Sequence, residues 1–501
     1  MEEKLQQLKA RMARISDLQR AAQLLRWDQE TQMPAGGVQA RAEQIGTLRG
    51  LAHELFTADE MGKLLDDLAP YAEQLPYDSD EASLIRVMRR EYAKAVRVPV
   101  AWVEENARAT SLAHHSWAQA KATNRFSLFQ PDLERVVDLQ RQWTEFFAPA
   151  SNPYDPLLDK YEPGLNTEQV GAIFSGLKPE LLALVEAVRE RADAVDDSFL
   201  HRPLEAEKQL AFGRMVAARL GYDFSRGRLD TSAHPFTTGF GRDDVRITTL
   251  VDAHNFLRSL KSVIHETGHA LHGQNISPTL RRTGLDWGTG MAIGESQSRF
   301  YENVIGRSRP FWQYFFPQMQ AFFAPLLDDI SPEAFYRAVN KVQPSLIRVK
   351  ADEVTYGLHI LLRFELENDL INGRLSVAAL PQEWNARMEA YLGVVPPTDS
   401  EGVLQDVHWS SGMFGYFPDY LLGSIFSVQV WDAMRKDLPD VSDQIAAGQF
   451  EGVLAWLREK IMQHGRKFTL PELAESATGQ PLNWGPFVAY LRDKFGEIYG
   501  F

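Results

Sequence analysis

Three observations predict a mainly α fold. Apolar residues recur at i, i+3, i+4 spacing, with charged residues on the opposite face, along most of the chain. Only one short stretch, Asp244-Val245-Arg246-Ile247-Thr248-Thr249-Leu250, alternates and is rich in β-branched residues, so it alone reads as a strand. Of the 501 residues, 44% are hydrophobic, enough for a large core. No apolar run approaches the roughly 18 residues a membrane span needs.

The helical pattern covers 1–26, 38–58, 82–94, 103–121, 131–147, 167–195 and 205–220. It resumes over 254–273, 291–306, 332–341, 351–372, 419–437, 442–463 and 484–499. Asn166-Thr167-Glu168-Gln169 has the residues of a helix N-terminus, and Ser331-Pro332-Glu333 reads as an N-cap followed by Pro at the first helical position. Pro310 is expected to punctuate the pattern. The loop-rich stretches are 148–166, 221–243, 274–290 and 394–418, lengths that usually carry function or rim a binding site. There is no internal repeat, low-complexity tract or flexible linker.

Composition excludes several classes. Without cysteine there are no disulfides and no thiol catalysis, which fits a reducing compartment. Met1-Glu2-Glu3-Lys4 opens on a polar segment without a signal-peptide core. A net charge of −14 argues against nucleic acid or an anionic membrane as partner.

The most informative residues are His265-Glu266-Thr267-Gly268-His269, an H-E-x-x-H sequence. On a helix, positions i and i+4 share a face one turn apart, so two imidazoles there can hold one divalent ion, zinc by default. Glu266, on the adjacent face, is placed to serve as general base for the attacking water. Flanking Phe256, Leu257, Leu260, Val263, Ile264, Ala270 and Leu271 predict a buried helix, and buried histidines need partners. A metzincin would continue with Gly at 272 and His at 275, where this chain has His272 and Asn275, so a later carboxylate is the expected third ligand. Glu295 and Glu302 lie seven apart on one helical face, and Asp286 is a further candidate. His272 could compete as a ligand, or lie behind the ligands or on the surface. The strand at 244–250 is either a plain structural strand or an edge that pairs with a peptide backbone.

Across its whole length the chain resembles the carboxypeptidase Taq family of metallocarboxypeptidases. The likeness starts at Leu24-Leu25-Arg26-Trp27-Asp28-Gln29-Glu30-Thr31, Met33-Pro34 and Arg41-Ala42-Glu43-Gln44. It continues through Tyr161-Glu162-Pro163-Gly164, the H-P-F motif His234-Pro235-Phe236, and D-x-R-x-T at Asp244, Arg246 and Thr248. Beyond H-E-x-x-H it includes Ile347-Arg348 with Ala351-Asp352, and Gly402 with Gln405-Asp406-Val407-His408-Trp409. One departure stands out. The family's H-E-S-Q or H-E-G-Q begins here with Gly294, while Glu295 is retained 26 residues after His269.

The resemblance implies a two-lobed, all-helical metallopeptidase with a deep cleft and a small β-sheet beside the metal helix. Residues 1–501 would form a single catalytic domain, with N-terminal helices as a wall or lid of the cleft. It implies a homodimer that removes single C-terminal residues from peptides with broad specificity. Each chain would hold one divalent ion, zinc first and cobalt second, on His265, His269 and Glu295. His408, Tyr416 and Tyr420 would stabilise the oxyanion, although Tyr420 could instead be core and Tyr416 a loop residue. Arg348 would bind the substrate carboxylate, unless it forms a helix pair with Asp352. Lys350 could assist it. Arg246 and His234 are further substrate-binding candidates, though Arg246 could instead orient its strand. The expected compartment is the cytoplasm. Two other functions stay open: an endo-oligopeptidase or dipeptidyl carboxypeptidase of similar fold, and an inactive peptide-binding scaffold.

Overall fold

The computed structural model describes residues 1–286 and 290–501, so positions 287–289 of the predicted 274–290 loop lie outside the described residues. The chain forms two compact units. The first comprises 1–96, 197–339 and 430–480; the second comprises 97–196, 340–429 and 481–501. The architecture is mainly α with one three-stranded sheet. No helix among the described residues is long and apolar enough to cross a membrane.

The first unit opens with Glu2–Thr31, Val38–Thr57, Asp59–Ala72 and Asp80–Ala95. Leu5, Leu8, Met12 and Ile15 form one helical stripe, which packs with Met61, Leu65, Leu68, Leu84, Ile85 and Met88 into a core. The sheet follows. β1 (Leu229–Thr231) runs parallel to β3 (Asp244–Thr249), and β2 (Thr237–Gly241) runs antiparallel to it, in the order β1-β3-β2. The predicted strand is therefore the centre of the sheet. This corrects its reading as a peptide-pairing edge, because both of its backbone edges are already used. The outer edges belong to β1 and β2, which lie inside the polar, glycine-rich stretch read as a loop. Short strands of that composition are held by backbone hydrogen bonds and leave no side-chain period to read.

The H-E-x-x-H helix, Phe256–Asn275, packs on this sheet. Val245 of β3 meets it at Gly273, where an added Cβ would lie 3.2 Å from the valine side chain. A second helix, Met291–Arg299, crosses it and continues as a π-helical turn, Phe300–Ile305. Gly268 makes that crossing possible. A Cβ there would lie 2.5 Å from the Gln297 carbonyl oxygen, closer than any packed structure allows.

The second unit is built around Thr355–Ile371. Leu358, Ile360, Leu361, Leu362, Leu366 and Leu370 bury it on nearly every side. His359, Arg363 and Glu367, spaced by four, form a fully buried polar stripe along it.

Most predicted helices appear within a few residues of their expected ends, but the first runs on to Thr31 rather than 26 and the one starting at Thr167 stops at Arg189 rather than 195. Asn166 and Gln169 form the reciprocal capping box. Five further helices, Asp59–Ala72, Asp155–Asp159, Arg309–Phe323, Leu380–Leu392 and Leu470–Thr478, were not predicted. Each contains proline, and Pro310 and Pro381 sit in the first helical turn, where the missing N–H costs nothing. The predicted helix 442–463 is broken into Val441–Ala446 and Glu451–Lys460. Gly448, with φ of +74°, turns the chain between them.

Candidate metal centre

One turn of the Phe256–Asn275 helix sets the His265 and His269 rings 5.0 Å apart between centroids. The crossing at Gly268 then brings Glu295 to them. Its Oε2 lies 3.9 Å from His265 Nε2 and 3.6 Å from His269 Nε2. Among the described residues, these three form the one group of His and carboxylate side chains gathered as a metal site. The separations are too long for hydrogen bonds. They approach the roughly 3.3–3.5 Å between neighbouring ligands of a tetrahedral ion bound at 2.0–2.1 Å. Two imidazoles, one carboxylate and no thiolate suit a borderline divalent ion such as zinc.

The surroundings orient this set. His265 Nδ1 lies 2.9 Å from Glu302 Oε2, which leaves Nε2 to face the centre, the carboxylate–histidine arrangement common behind metal ligands. Glu302, a possible third ligand by its spacing, thus lies behind His265. Arg307 holds its Oε1 at 3.1 Å and Arg299 its Oε2 at 3.2 Å. Arg299 also donates to Glu295 Oε1 at 2.8 Å, leaving Oε2 for the centre. Burial by itself raises the Glu295 carboxyl, but Arg299, His265 and His269 outweigh it and hold it well below the usual carboxylate range. Burial likewise lowers His265, and the carboxylates around it reverse the direction. The site is therefore an acidic pocket matched to a cation.

Asp286 and His272 lie outside this cluster, and Asp286 is engaged elsewhere. Asp286 pairs with Arg20 at 2.7 Å and accepts the Arg282 backbone N–H. His272 is buried with Nε2 lacking a partner, and burial, then His269, push its imidazole down to about 4. At Gly294 an added Cβ would meet nothing within 4 Å, so the backbone there does not itself require glycine.

Glu266 is buried and accepts a hydrogen bond of 2.6 Å from the Thr237 hydroxyl of β2. Thr237 follows the H-P-F motif directly; the motif drew attention to His234, which is exposed. Arg246 makes a two-pronged pair with Asp244 at 2.8 Å and stacks 4.3 Å from the Trp27 ring centroid, so it is committed to its strand and the first helix.

The remaining predicted residues lie in the second unit. His408 Nε2 is 3.3 Å from the Tyr420 hydroxyl, and Tyr416 and Phe417 pack against its ring. Burial pushes the His408 imidazole down to about 4, so the ring is neutral near pH 7. Arg348 is buried. Its Nε and Nη2 both donate to Asp406 Oδ1, at 3.1 and 2.8 Å, and its Nη1 donates to the Tyr356 hydroxyl. Its partner is thus Asp406 rather than Asp352, whose carboxylate accepts the Val354 and Thr355 N–H groups at the start of the next helix and the Gln343 N–H upstream. The fork expected to face a substrate is occupied.

Sequence reasoning missed Thr237, Arg299, Arg307, Arg363 and Glu367. Arg299 was within reach as the i+4 partner of Glu295. Arg307 meets Glu302 across a π-helical turn that no periodicity announces. Glu367 accepts from Trp409 Nε1, the Tyr154 hydroxyl and the Gly415 N–H at 2.7, 2.5 and 2.9 Å, which ties down both sides of the segment between His408 and Tyr416.

A helix-borne pair of histidines with a carboxylate from the next helix is the donor set of a metallopeptidase of the two-His-one-carboxylate type. The family follows from comparison with known proteins. Residues 7–495 match the model of the "Carboxypeptidase Taq (M32) metallopeptidase" family, and the chain belongs to it. "Carboxypeptidase 1" of Bacillus subtilis (strain 168) is 38% identical over 488 residues, 97% of each chain. "Thermostable carboxypeptidase 1" of Pyrococcus furiosus is 36% identical over 499 residues, 98% of each. The "Crystal structure of M32 carboxypeptidase from Deinococcus radiodurans R1" superposes with a TM-score of 0.96 at 40% identity, covering 100% of both chains. The chain is accordingly an enzyme, a metal-dependent carboxypeptidase.

Proposed function

We propose that this enzyme releases single amino acids from peptide C-termini with broad side-chain acceptance. Residues 1–501 act as one catalytic domain in a cytoplasmic homodimer. The observation that carries the reading is the convergence of His265 Nε2, His269 Nε2 and Glu295 Oε2 on one point, with Glu266 beside them. One divalent ion per chain, zinc first and cobalt second, is held by these three residues. When bound, the ion supplies Lewis acidity and brings the pKa of water toward about 7.

The chain's own residues do the rest. Glu266 accepts the proton of the attacking water and delivers it to the leaving amine. Negative charge develops on the scissile carbonyl oxygen, and neutral His408 with the hydroxyls of Tyr416 and Tyr420 donates hydrogen bonds to it. Arg348 supplies positive charge for the terminal carboxylate through the N–H groups that Asp406 and Tyr356 leave over. Arg246 and His234 play secondary parts in binding, Arg246 by holding β3. If a peptide backbone pairs with the sheet, β2 is the strand to receive it: it is an edge, and Thr237 sits beside Glu266.

Digestion of a peptide ladder, read by mass spectrometry with and without chelator, tests this. Stepwise loss of one C-terminal residue, abolished by chelation and restored by Zn²⁺ or Co²⁺, is expected. Internal cuts or dipeptide release would replace this reading with an oligopeptidase or a dipeptidyl carboxypeptidase. Glu266→Gln should keep its metal and lose roughly 10²–10⁴-fold in kcat, because an amide cannot take the proton.

A further inference from the structure

Nothing in the Phe256–Asn275 helix itself holds the Glu266 carboxylate. The hold comes from the sheet. Thr237 Oγ1 lies 2.6 Å from Glu266 Oε2 and 3.0 Å from the Glu266 backbone oxygen. A hydroxyl has one proton to give, and 2.6 Å is the length of a charge-assisted O–H···O⁻ bond, so the carboxylate receives it. Among the described residues Glu266 makes no other side-chain hydrogen bond, which leaves Oε1 open. Thr237 is itself fixed by register. It pairs opposite Ile247, and the neighbouring Phe236 exchanges its N–H and C=O with the hydroxyl and N–H of Thr248. β3 in turn packs on the helix that carries Glu266. Backbone, sheet and helix thus fix where the threonine hydroxyl stands.

We infer that Thr237 is the positioning residue of the general base: its hydroxyl holds Oε2, so that Oε1 meets the attacking water and then the leaving nitrogen. The inference rests on the role of Glu266 proposed above. A glutamate has three side-chain torsions, and a carboxylate free to swing loses the near-attack geometry on which proton transfer depends. Thr237 touches neither reactant. It acts through Glu266 alone.

The test uses full-length, zinc-loaded enzyme. Thr237→Val keeps the shape and the β-branched strand residue but removes the hydroxyl. Thr237→Val should lower kcat roughly tenfold to hundredfold, the effect of one hydrogen bond to a charged group, with KM within about twofold. Its zinc content and melting temperature should match the wild type. Thr237→Ser should recover most of the turnover, because the hydroxyl returns. In a Glu266→Gln background, Thr237→Val should cost little more, because the two residues act as one unit.

Unchanged kcat in Thr237→Val overturns the inference. So does a rise in KM alone, which would make Thr237 a binding residue. Loss of zinc or of thermal stability in Thr237→Val, or a Thr237→Ser variant as slow as Thr237→Val, would assign a structural role instead. Near-normal turnover in Glu266→Gln would sink the general-base reading itself. An inactive Glu266→Gln beside a normal Thr237→Val would sink only the role of Thr237.

Discussion

Glu295 in the first unit and Asp406 in the second are both buried acids flanked by arginine and histidine, yet their oxygens are used differently. Glu295 gives Oε1 to Arg299 and turns Oε2 toward two imidazole nitrogens 3.6 and 3.9 Å away, neither of them within hydrogen-bond reach. Asp406 gives Oδ1 to Arg348 and Oδ2 to Arg363 at 2.8 and 2.7 Å, and Gln405 binds both arginines as well. Asp406 is thereby held far below the usual carboxylate range, although burial alone would raise it. The first cluster turns three donor atoms toward one point. The second spends both carboxylate oxygens on arginine. The difference teaches that residue type and motif membership do not separate a candidate binding site from a brace; the convergence of several donor atoms on one point does.

Removing a proposed ligand from the first cluster should have the largest effect. Glu295→Ala should leave almost no zinc after desalting, as judged by elemental analysis, and no turnover. Glu302→Gln, which changes only the support of His265, should weaken zinc by about 10- to 100-fold and leave the fold intact. Tight stoichiometric zinc in Glu295→Ala would erase the contrast between the two clusters.

In the second cluster, Arg348→Ala should destabilise the protein by about 3 kcal/mol in denaturant unfolding, since Asp406 loses half of its buried pairing. The same variant should lower the ratio of acid to amide kcat/KM about tenfold if the leftover N–H groups reach the substrate terminus. An unchanged ratio with lost stability would make Arg348 a brace and nothing more.

The smallest effect tests the crossing that creates the first cluster. Gly268→Ala puts a methyl group against the Gln297 carbonyl and should cost about 1–3 kcal/mol of stability. Because the two helices must part, zinc affinity should fall in the same variant. Wild-type affinity would show that Glu295 reaches the histidines without that close approach.

Much of this molecule is legible in its sequence. The helix of His265 and His269 follows from a 3.6-residue period, and Glu266 from its place between them. The Asn166–Gln169 cap and the strand at 244–249 are local signals of the same kind, because each depends on neighbours a few residues away. The proposed third ligand is legible only as a short set: Glu295, Glu302 and Asp286 have the same chemistry, and the family motif favours the first. Their surroundings in the fold differ. Glu302 is spent behind His265, Asp286 binds Arg20 outside the cluster, and Glu295 Oε2 faces both imidazoles.

What the sequence determined by itself was the helical class, the H-E-x-x-H face and, through its motifs, the family. Tertiary structure alone decided that Thr237 meets Glu266, that Arg348 meets Asp406 instead of Asp352, and that β3 is the centre of its sheet. The first two contacts join residues 29 and 58 positions apart, and the strands pair residues 3 to 18 positions apart. A side-chain period describes what a residue faces on its own element. Which partner waits there depends on how the elements pack, and one missing Cβ at Gly268 does as much to decide it as any charged group.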